Sequence, residues 1–269
     1  MAKHVRAWNE AKYQRYLKEG RGQGTLSQYV PWVQIQDFPS KGIVSRIKGT
    51  TTGRVHHLMS NLELYYFLIL DWSDQTIDIR EQYPLSDLAD AIRIADAMEI
   101  RYPYDNSSGF PYVLTTDFLI TTRNGVMARA IKPSSDLKKK RVREKLEIER
   151  RYWDKRNVDW KLVTEFEIPR TKARNIEWLI TGKTAHEMIT DTDILKQSEI
   201  AFYELYENSS HSISMIIETV ESDFRLEQGS GISLYKKLVM DKKIQLDMNQ
   251  ELNLTGVRKE SHAEYDMYQ

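Results

Sequence analysis

Two apolar runs around an Asn-Gly pair constrain the fold of this chain more than any other feature. The runs cover residues 113–120 and 126–132, and Asn124 and Gly125 stand between them. An Asn-Gly pair between β-forming runs is the strongest short-range signal for a hairpin, so the two runs are predicted to be antiparallel neighbours. This pairing places Asp117 beside the far end of the second strand, close to Lys132.

Asp117 and Lys132 are the residue types that metal-dependent phosphodiester cleavage uses at paired strand ends, together with an acid from elsewhere. Mg²⁺ takes oxygen ligands and keeps several waters, so one or two carboxylates and the substrate phosphate can hold it. Asp117 is the candidate ligand, and Lys132 can stabilise the phosphorane-like transition state or orient the attacking water. The alternative is an ordinary cross-strand ion pair, which contributes little to stability at a surface.

Glu63 is the candidate for the further acid. It lies on the first turn of an apolar helix that is predicted from Ser60 to about Trp72. A helix that packs beside the hairpin would direct this carboxylate toward a metal bound at Asp117. Alternatively, Ser60 and Glu63 form a capping box, in which the two side chains satisfy backbone N–H groups at the start of the helix.

The elements predicted around the hairpin describe an α/β unit. Their periodicity indicates helices at 6–19, at 85–100 and at a segment ending at Trp153, and strands at 77–83 and 158–163. Because a helix links the hairpin to the last strand, that strand is expected to run parallel to its predecessor. The result is a mixed sheet flanked by helices.

Local basic groups would have to bind any polyanion, because Lys and Arg together number 39 and so do Asp and Glu. Lys138, Lys139, Lys140 and Arg141 follow the hairpin and are candidates for contacts with DNA phosphates. The alternative is a solvated helix face. Arg21 lies in a glycine-rich stretch and could approach a DNA backbone closely, although such a stretch is also typical of a flexible turn.

A second domain is predicted over residues 171–269, because Pro169 and a polar segment separate the sheet from mainly helical sequence. Helices are predicted at 171–180, 191–207, 212–224 and 233–241, followed by short strands at 243–247 and 251–254. Three helices and a terminal hairpin suggest a winged-helix-like domain, a fold that binds either DNA or protein. Its mixed surface charge suits a protein partner better than a polyanion.

The composition favours a protein of a reducing compartment. The chain has no Cys, which excludes a disulfide framework and Cys-based zinc sites. No apolar run approaches the length of about eighteen residues that indicates a membrane helix, and no signal peptide follows Met1. We therefore expect a soluble, cytoplasmic protein without a membrane partner.

Several motifs together resemble the TnsA family, whose members are endonuclease subunits of heteromeric bacterial cut-and-paste transposases. The motifs are Gly20-Arg-Gly-Gln-Gly24, Thr52-Gly-Arg-Val-His-His57, Ser60-Asn-Leu-Glu-Leu64, Asp78-Ile-Arg-Glu-Gln-Tyr-Pro84, Thr116-Asp-Phe-Leu119, Ile131-Lys-Pro133, Glu144-Lys-Leu-Glu-Ile-Glu-Arg-Arg-Tyr-Trp153 and Asn175-Ile-Glu-Trp-Leu179. The resemblance is dense over about residues 15–180, and afterwards only length and helical content agree.

The resemblance implies a restriction-endonuclease-like catalytic domain over residues 1–170, in which Glu63, Asp117 and Lys132 match the catalytic residues. It implies dependence on Mg²⁺, for which Mn²⁺ is expected to substitute, and cleavage of the strands that carry the 5′ ends of the element. It also implies three partners: DNA at the transposon ends, an integrase-type transposase subunit that cuts the 3′ strands, and an AAA+ ATPase regulator that contacts the C-terminal domain.

One position departs from the family pattern. Where the family has a Gln two residues before the Lys, this chain has Ala130. The backbone carbonyl of Ile131 can still be a metal ligand beside Glu63 and Asp117, so we expect altered metal affinity rather than inactivity. Two alternatives stay open: a free-standing restriction-type or repair nuclease, and a scaffolding subunit that has lost catalysis. The joint presence of both acids and Lys132 argues against the second.

Overall fold

The structure is a computed structural model of the chain of 269 residues, and it describes residues 8–37 and 43–256. The chain divides into two compact units, Met1–Pro169 and Arg170–Gln269. None of the described helices has both the length and the apolar character that crossing a membrane requires.

The first unit mixes strands and helices. In chain order its elements are α1 (Glu10–Lys18), β1 (Ser45–Lys48), β2 (Val55–Leu58), α2 (Asn61–Trp72), β3 (Thr76–Pro84), α3 (Leu88–Ala97), β4 (Thr115–Thr122), β5 (Gly125–Ile131), α4 (Lys140–Asp154) and β6 (Asp159–Val163).

Four of these strands form a mixed sheet in the spatial order β3-β4-β5-β6. Strands β3 and β5 are antiparallel to β4, whereas β6 is parallel to β5. A parallel pair needs a crossover connection, and α4 provides it. The predicted mixed α/β sheet flanked by helices is therefore confirmed. Strands β1 and β2 form a separate antiparallel pair, which was not predicted because each has only four residues.

The hairpin of β4 and β5 forms where the Asn-Gly pair predicts it. Thr122 pairs with Gly125, and the ladder continues to Phe118 opposite Arg129. Gly125 has a φ of 129°, which L side chains rarely adopt, so this position of the turn favours glycine. The local sequence is thus sufficient to define both the turn and the register of the two strands.

Helices cover both faces of the sheet. Leu119 of β4 and Ala128 of β5 are buried under α3 and α4. Phe118 lies against Tyr66 of α2, with ring centroids 5.9 Å apart. Because successive strand residues point to opposite faces, α2 covers the face opposite to α3 and α4.

The glycine-rich stretch after α1 packs against β3. A Cβ atom at Gly22, which has a φ of +74°, would lie 2.4 Å from Cγ of Pro84, so this close approach requires glycine. Trp8, Tyr16 and Trp32 form an aromatic cluster in the same region. The helix predicted at 6–19 is observed as α1, and residues 6 and 7 of that prediction lie outside the described residues.

The second unit is mainly helical, as predicted. Its elements are α5 (Arg170–Ile180), α6 (Ala185–Met188), α7 (Thr192–Asn208), α8 (Ile213–Asp223) and α9 (Ser230–Met240). Phe202, Ile216 and Leu234 are fully buried and belong to its core. The short helix α6 was not predicted.

The strands predicted at 243–247 and 251–254 are wrong, because the described part of this unit contains helices and no strand. The backbone N–H of Lys243 donates to the carbonyl of Leu238 in α9. The side-chain amide of Asn175 in α5 donates to two backbone carbonyls of the same terminal segment, at 2.9 and 2.7 Å. Groups of the helices thus satisfy part of this backbone, and no terminal hairpin forms in the described residues.

Candidate functional site

Asp117 lies where β4 and β5 separate. The last partner pair of the two strands is Phe118 and Arg129, one residue away from Asp117. Its Oδ2 atom accepts hydrogen bonds from the backbone N–H of Ile131 at 2.6 Å and from Nζ of Lys132 at 2.7 Å. The carboxylate therefore takes the place of a backbone hydrogen bond between β4 and β5 at the fork, which is the point where the two strands separate. It also holds Lys132 at this point.

The carbonyl of Ile131 is directed toward the same fork. The backbone N–H of Lys132 donates to the carbonyl of Val163 in β6 at 3.1 Å. In a parallel pair with this register, Ile131 directs its own N–H and C=O away from β6 and toward β4. This orientation is compatible with the predicted metal ligand, which stays a prediction.

Glu63 enters the site from the first turn of α2. Ser60 is the N-cap residue, and its hydroxyl accepts a hydrogen bond from the backbone N–H of Glu63 at 3.2 Å. In return, the Glu63 carboxylate accepts hydrogen bonds from the Met59 N–H at 2.9 Å and from the Ser60 hydroxyl at 3.0 Å. The side chain thus makes capping contacts, while the carboxylate is buried close enough to Asp117 to interact with its charge.

The site combines two buried acids with one cation, Lys132, whose side chain is 33% exposed. Burial, and next the charge of Asp117, raises the pKa of Glu63 to about 7. For Lys132, burial acts to lower the pKa, but the neighbouring Asp117 carboxylate raises it overall. Lys132 therefore carries its charge at neutral pH, whereas burial and the charge of Asp117 leave Glu63 only partly ionised.

Glu149 of α4 is a third acid at the site, and the sequence interpretation missed it. It is 6% exposed and accepts a hydrogen bond from Nε1 of Trp160 at 2.9 Å. Burial, followed by the charge of Asp117, raises its pKa to about 7. Glu149 stands among charged residues, but it is three residues from both Leu146 and Tyr152 on the apolar stripe of the helix. That spacing is the signal that could have identified it.

The donors at the fork suit a hard divalent cation. Among the described residues, His, Cys, Asp and Glu form no group of three or more that could hold a metal ion. Mg²⁺ does not need such a group, because it keeps several waters and binds through one or two carboxylates and substrate phosphates. The structure gives Oδ1 of Asp117 no hydrogen-bond donor within residues 8–37 and 43–256, so this oxygen is available to a cation.

Arg21 is buried in the first unit. Its guanidinium donates hydrogen bonds to the carboxylates of Glu19 and Asp37 and to the backbone carbonyl of Trp32. The residue is 7% exposed. A contact between Arg21 and DNA stays a prediction, and it would have to replace these bonds. Because Asp37 is distant from Arg21 in the sequence, the sequence pattern did not indicate this ion pair.

The predicted basic group lies at the N-terminal end of α4 and consists of Lys138, Lys139, Lys140 and Arg141. Lys139 pairs with Asp136 at 2.6 Å, and Arg141 pairs with Glu144 at 3.0 Å. Lys140 is 85% exposed and lies 3.7 Å from the same Glu144. Cations are unfavourable at a helix N-terminus, which is the positive end of the helix dipole. These charges therefore oppose the dipole of α4, although Lys140 and Arg141 each pair with Glu144 of the same helix. The contact of the group with DNA stays a prediction.

Comparison with known proteins gives matches along nearly the whole chain. The model of the TnsA-like endonuclease N terminal matches residues 73–165, and the model of the TnsA endonuclease C terminal matches residues 167–248. The transposon Tn7 transposition protein TnsA of Escherichia coli is 35% identical over an alignment of 275 positions, which covers 96% of this chain and 98% of that protein. The first family model includes Asp117 and Lys132 but begins after Glu63, which only the full-length relative covers. The chain belongs to the TnsA family of endonucleases.

Proposed function

We propose that this chain is the endonuclease subunit of a heteromeric transposase and hydrolyses the 5′ strands at transposon ends during cut-and-paste transposition. The observation that carries the proposal is the convergence of Asp117, Lys132 and Glu63 at the fork between β4 and β5, in a chain of the TnsA family. The related protein of Tn7 is a transposition protein, which supports a role on transposon DNA and, with it, a cytoplasmic location.

The proposed reaction is a metal-dependent hydrolysis of a phosphodiester bond. Asp117, Glu63 and the Ile131 carbonyl would hold Mg²⁺, or Mn²⁺ in its place. When bound, the ion would neutralise charge on the phosphate and help to orient the attacking water. Lys132, which lies 2.7 Å from Asp117, directs a permanent positive charge to the same region and stabilises the transition state.

Two further features bear on metal affinity. Ala130 supplies no side-chain ligand. The coordination shell of the metal ion would therefore consist of the two acids, the carbonyl of Ile131, waters and the substrate. Glu149 adds a negative charge near Asp117 when it is ionised, which favours a cation at the fork. The restriction-endonuclease-like description of the first unit agrees with an acid on β4, a Lys directly after β5 and a further acid on α2.

The proposed partners are DNA, an integrase-type subunit that cuts the 3′ strands, and an AAA+ ATPase regulator. The basic group of residues 138–141 supports a phosphate contact, whereas the buried ion pairs of Arg21 make it the weaker candidate. The second unit is proposed to bind the regulator, because its mixed surface charge suits a protein partner better than a polyanion. A winged-helix-like form has less support, since the described residues lack the terminal hairpin.

A reconstituted cleavage assay tests this proposal. The full chain is incubated with DNA that carries a transposon end, alone or with the integrase-type subunit and the ATPase regulator. A transposase subunit should cut little alone and should cut with its partners, and removal of the metal by a chelator should stop cleavage until Mg²⁺ is restored. Equal cleavage by the chain alone would identify a free-standing nuclease.

Two variants complete the assay. Asp117→Asn should eliminate the cuts that depend on this chain, and Asp74→Asn, which changes an exposed acid outside the site, should not affect them. Unchanged products with Asp117→Asn would identify a scaffolding subunit without catalysis.

A further inference from the structure

Gln82 lies opposite Asp117 with an unusual backbone conformation. It is a residue of β3 between Glu81 and Tyr83, whose partners on β4 flank Asp117. Its φ is 49°, in the left-handed region that a side-chain-bearing residue adopts at a cost. Within the described ranges, the other non-glycine residues with positive φ all lie outside the strands.

This conformation removes Gln82 from the regular pairing with β4. Its carbonyl accepts a hydrogen bond from the backbone N–H of Trp32 at 3.3 Å, and Tyr83 then resumes the pairing. Strained residues persist only where their surroundings hold them, and they cluster at functional sites. The observed outlier therefore raises the question of what the side chain does.

The side chain of Gln82 uses both ends of its amide. Nε2 donates a hydrogen bond to Oε2 of Glu63 at 3.3 Å, and Oε1 accepts one from the hydroxyl of Thr115 at 3.2 Å. A carboxylate offers only acceptors, so the NH₂ end must face Glu63 and the carbonyl end must face the hydroxyl. The residue is 6% exposed, so water does not compete freely for these contacts.

The remaining contacts of the Glu63 carboxylate come from the start of its own helix, through Met59 and Ser60. Among the described residues, Gln82 is the residue of the sheet that donates a hydrogen bond to this carboxylate. It therefore links the acid on α2 to the sheet that carries Asp117. No contact from the helix start could fix the distance between the two acids in this way.

We propose that Gln82 is a positioning residue of the nuclease site, which holds the Glu63 carboxylate in the orientation in which it shares a divalent cation with Asp117. The inference rests on the proposed function, because it assigns the cation to these two acids. Gln82 itself is not a ligand. Its strained backbone is the cost of directing the amide between Glu63 and Thr115.

Substitutions can separate the backbone from the amide. Gln82→Gly keeps the left-handed conformation without strain and allows the bond to Trp32, but it removes the amide. Gln82→Met preserves the length of the side chain without hydrogen-bonding groups. Gln82→Asn retains an amide on a residue type that tolerates positive φ.

The test measures Mn²⁺ affinity of the full chain by titration calorimetry at one pH, together with the thermal unfolding temperature. Groups that orient metal ligands typically change affinity about 10- to 100-fold when they are replaced. We expect a loss in that range for Gln82→Gly and Gln82→Met, and partial recovery in Gln82→Asn. Gln82→Gly relieves backbone strain but also removes a buried side chain and its two hydrogen bonds, so the unfolding temperature of each variant is measured beside its affinity.

Mn²⁺ affinity equal to that of the wild type in both Gln82→Gly and Gln82→Met would overturn the inference. So would decreases in Mn²⁺ affinity that parallel the decreases in unfolding temperature across the three variants. Asp117→Asn distinguishes this failure from failure of the proposed function. If Asp117→Asn binds Mn²⁺ as well as the wild type, the proposed metal site is wrong. If it loses Mn²⁺ while Gln82→Gly does not, only the role of Gln82 is wrong.

Discussion

Glu63 combines a helix cap and a candidate metal ligand, and the two roles can be removed separately. Ser60→Ala removes the N-cap hydroxyl, which should cost about 0.5–2 kcal/mol of stability and, because this hydroxyl also donates to the Glu63 carboxylate, should weaken 5′-strand cleavage without abolishing it. Glu63→Ala should cost a similar free energy of unfolding and abolish that cleavage. Urea unfolding and the cleavage assay measure the two effects. A Glu63→Ala protein that unfolds would favour capping as the main role, and one that cuts normally would exclude Glu63 from the site.

Glu149 should make the protein less stable as the pH rises through the weakly acidic range. Its pKa is raised from 4.5 to about 7 in the folded chain, so the unfolded chain releases this proton first. Between these two values the unfolded state binds fewer protons, and a rise in pH therefore favours unfolding. Glu149→Gln should reduce the loss of unfolding free energy between pH 5 and pH 8, as measured in urea.

The reduction should be partial, because the raised pKa of Glu63 acts in the same direction. A pH dependence of the Glu149→Gln variant identical to that of the wild type would show that Glu149 does not retain its proton in the folded state.

Among the helices and strands, the sequence correctly predicts the features that local sequence patterns determine. The hairpin of β4 and β5 follows from one turn and two apolar runs, and the direction of β6 follows from its helical connection. The proximity of Asp117 to Lys132 follows from that register. These predictions succeed because each depends on residues that are close in sequence.

The rest of the site depends on contacts that are distant in sequence. The spacing of Glu149 places it on the apolar stripe of α4, but its approach to Asp117 depends on how α4 packs against the sheet, and the left-handed Gln82 has no local signal such as glycine. Arg21 seemed free beside glycines, but Asp37 pairs with it. The two strands predicted at 243–247 and 251–254 are wrong because groups of α5 and α9 bind part of the backbone of this terminal region. The sequence pattern of the two segments could not reveal these contacts.

The N-terminal end of α4 should contribute to DNA binding at the expense of helix stability. Neutralising Lys138 and Lys140 by substitution with Gln should lower the slope of log affinity against log salt by about one unit per lost phosphate contact. The same change should stabilise the helix by about 0.3–1 kcal/mol, because it removes cations from the positive end of the dipole. Binding of the full chain to transposon-end DNA at several salt concentrations provides the slope.

Lys196→Gln is the matched control, because it removes an exposed Lys from α7 in the other unit. Its salt slope should equal that of the wild type. An unchanged slope in the Lys138 and Lys140 variant would indicate that this group is a solvated helix face.

The two units of the molecule should have separate functions. Every candidate site residue lies in the unit Met1–Pro169, so a chain that ends at Pro169 should retain Mn²⁺ affinity. It should lose binding to the ATPase regulator, and cleavage should no longer depend on target signals. Calorimetry and a binding assay with the purified regulator measure the two properties.

The full chain with Asp117→Asn is the reciprocal control and should bind the regulator while losing Mn²⁺. Regulator binding by the truncated chain, at the affinity of the full chain, would contradict this division between the units.

The fork at Asp117 should cut one defined strand at each transposon end. A strand-resolved assay tests it most directly: each strand of the end is labelled separately, and the wild type is compared with Asp117→Asn in the complete assembly with Mg²⁺. Asp117→Asn should lose the 5′-strand cuts and retain the 3′-strand cuts made by the integrase-type subunit. Persistence of the 5′-strand cuts in Asp117→Asn would contradict it.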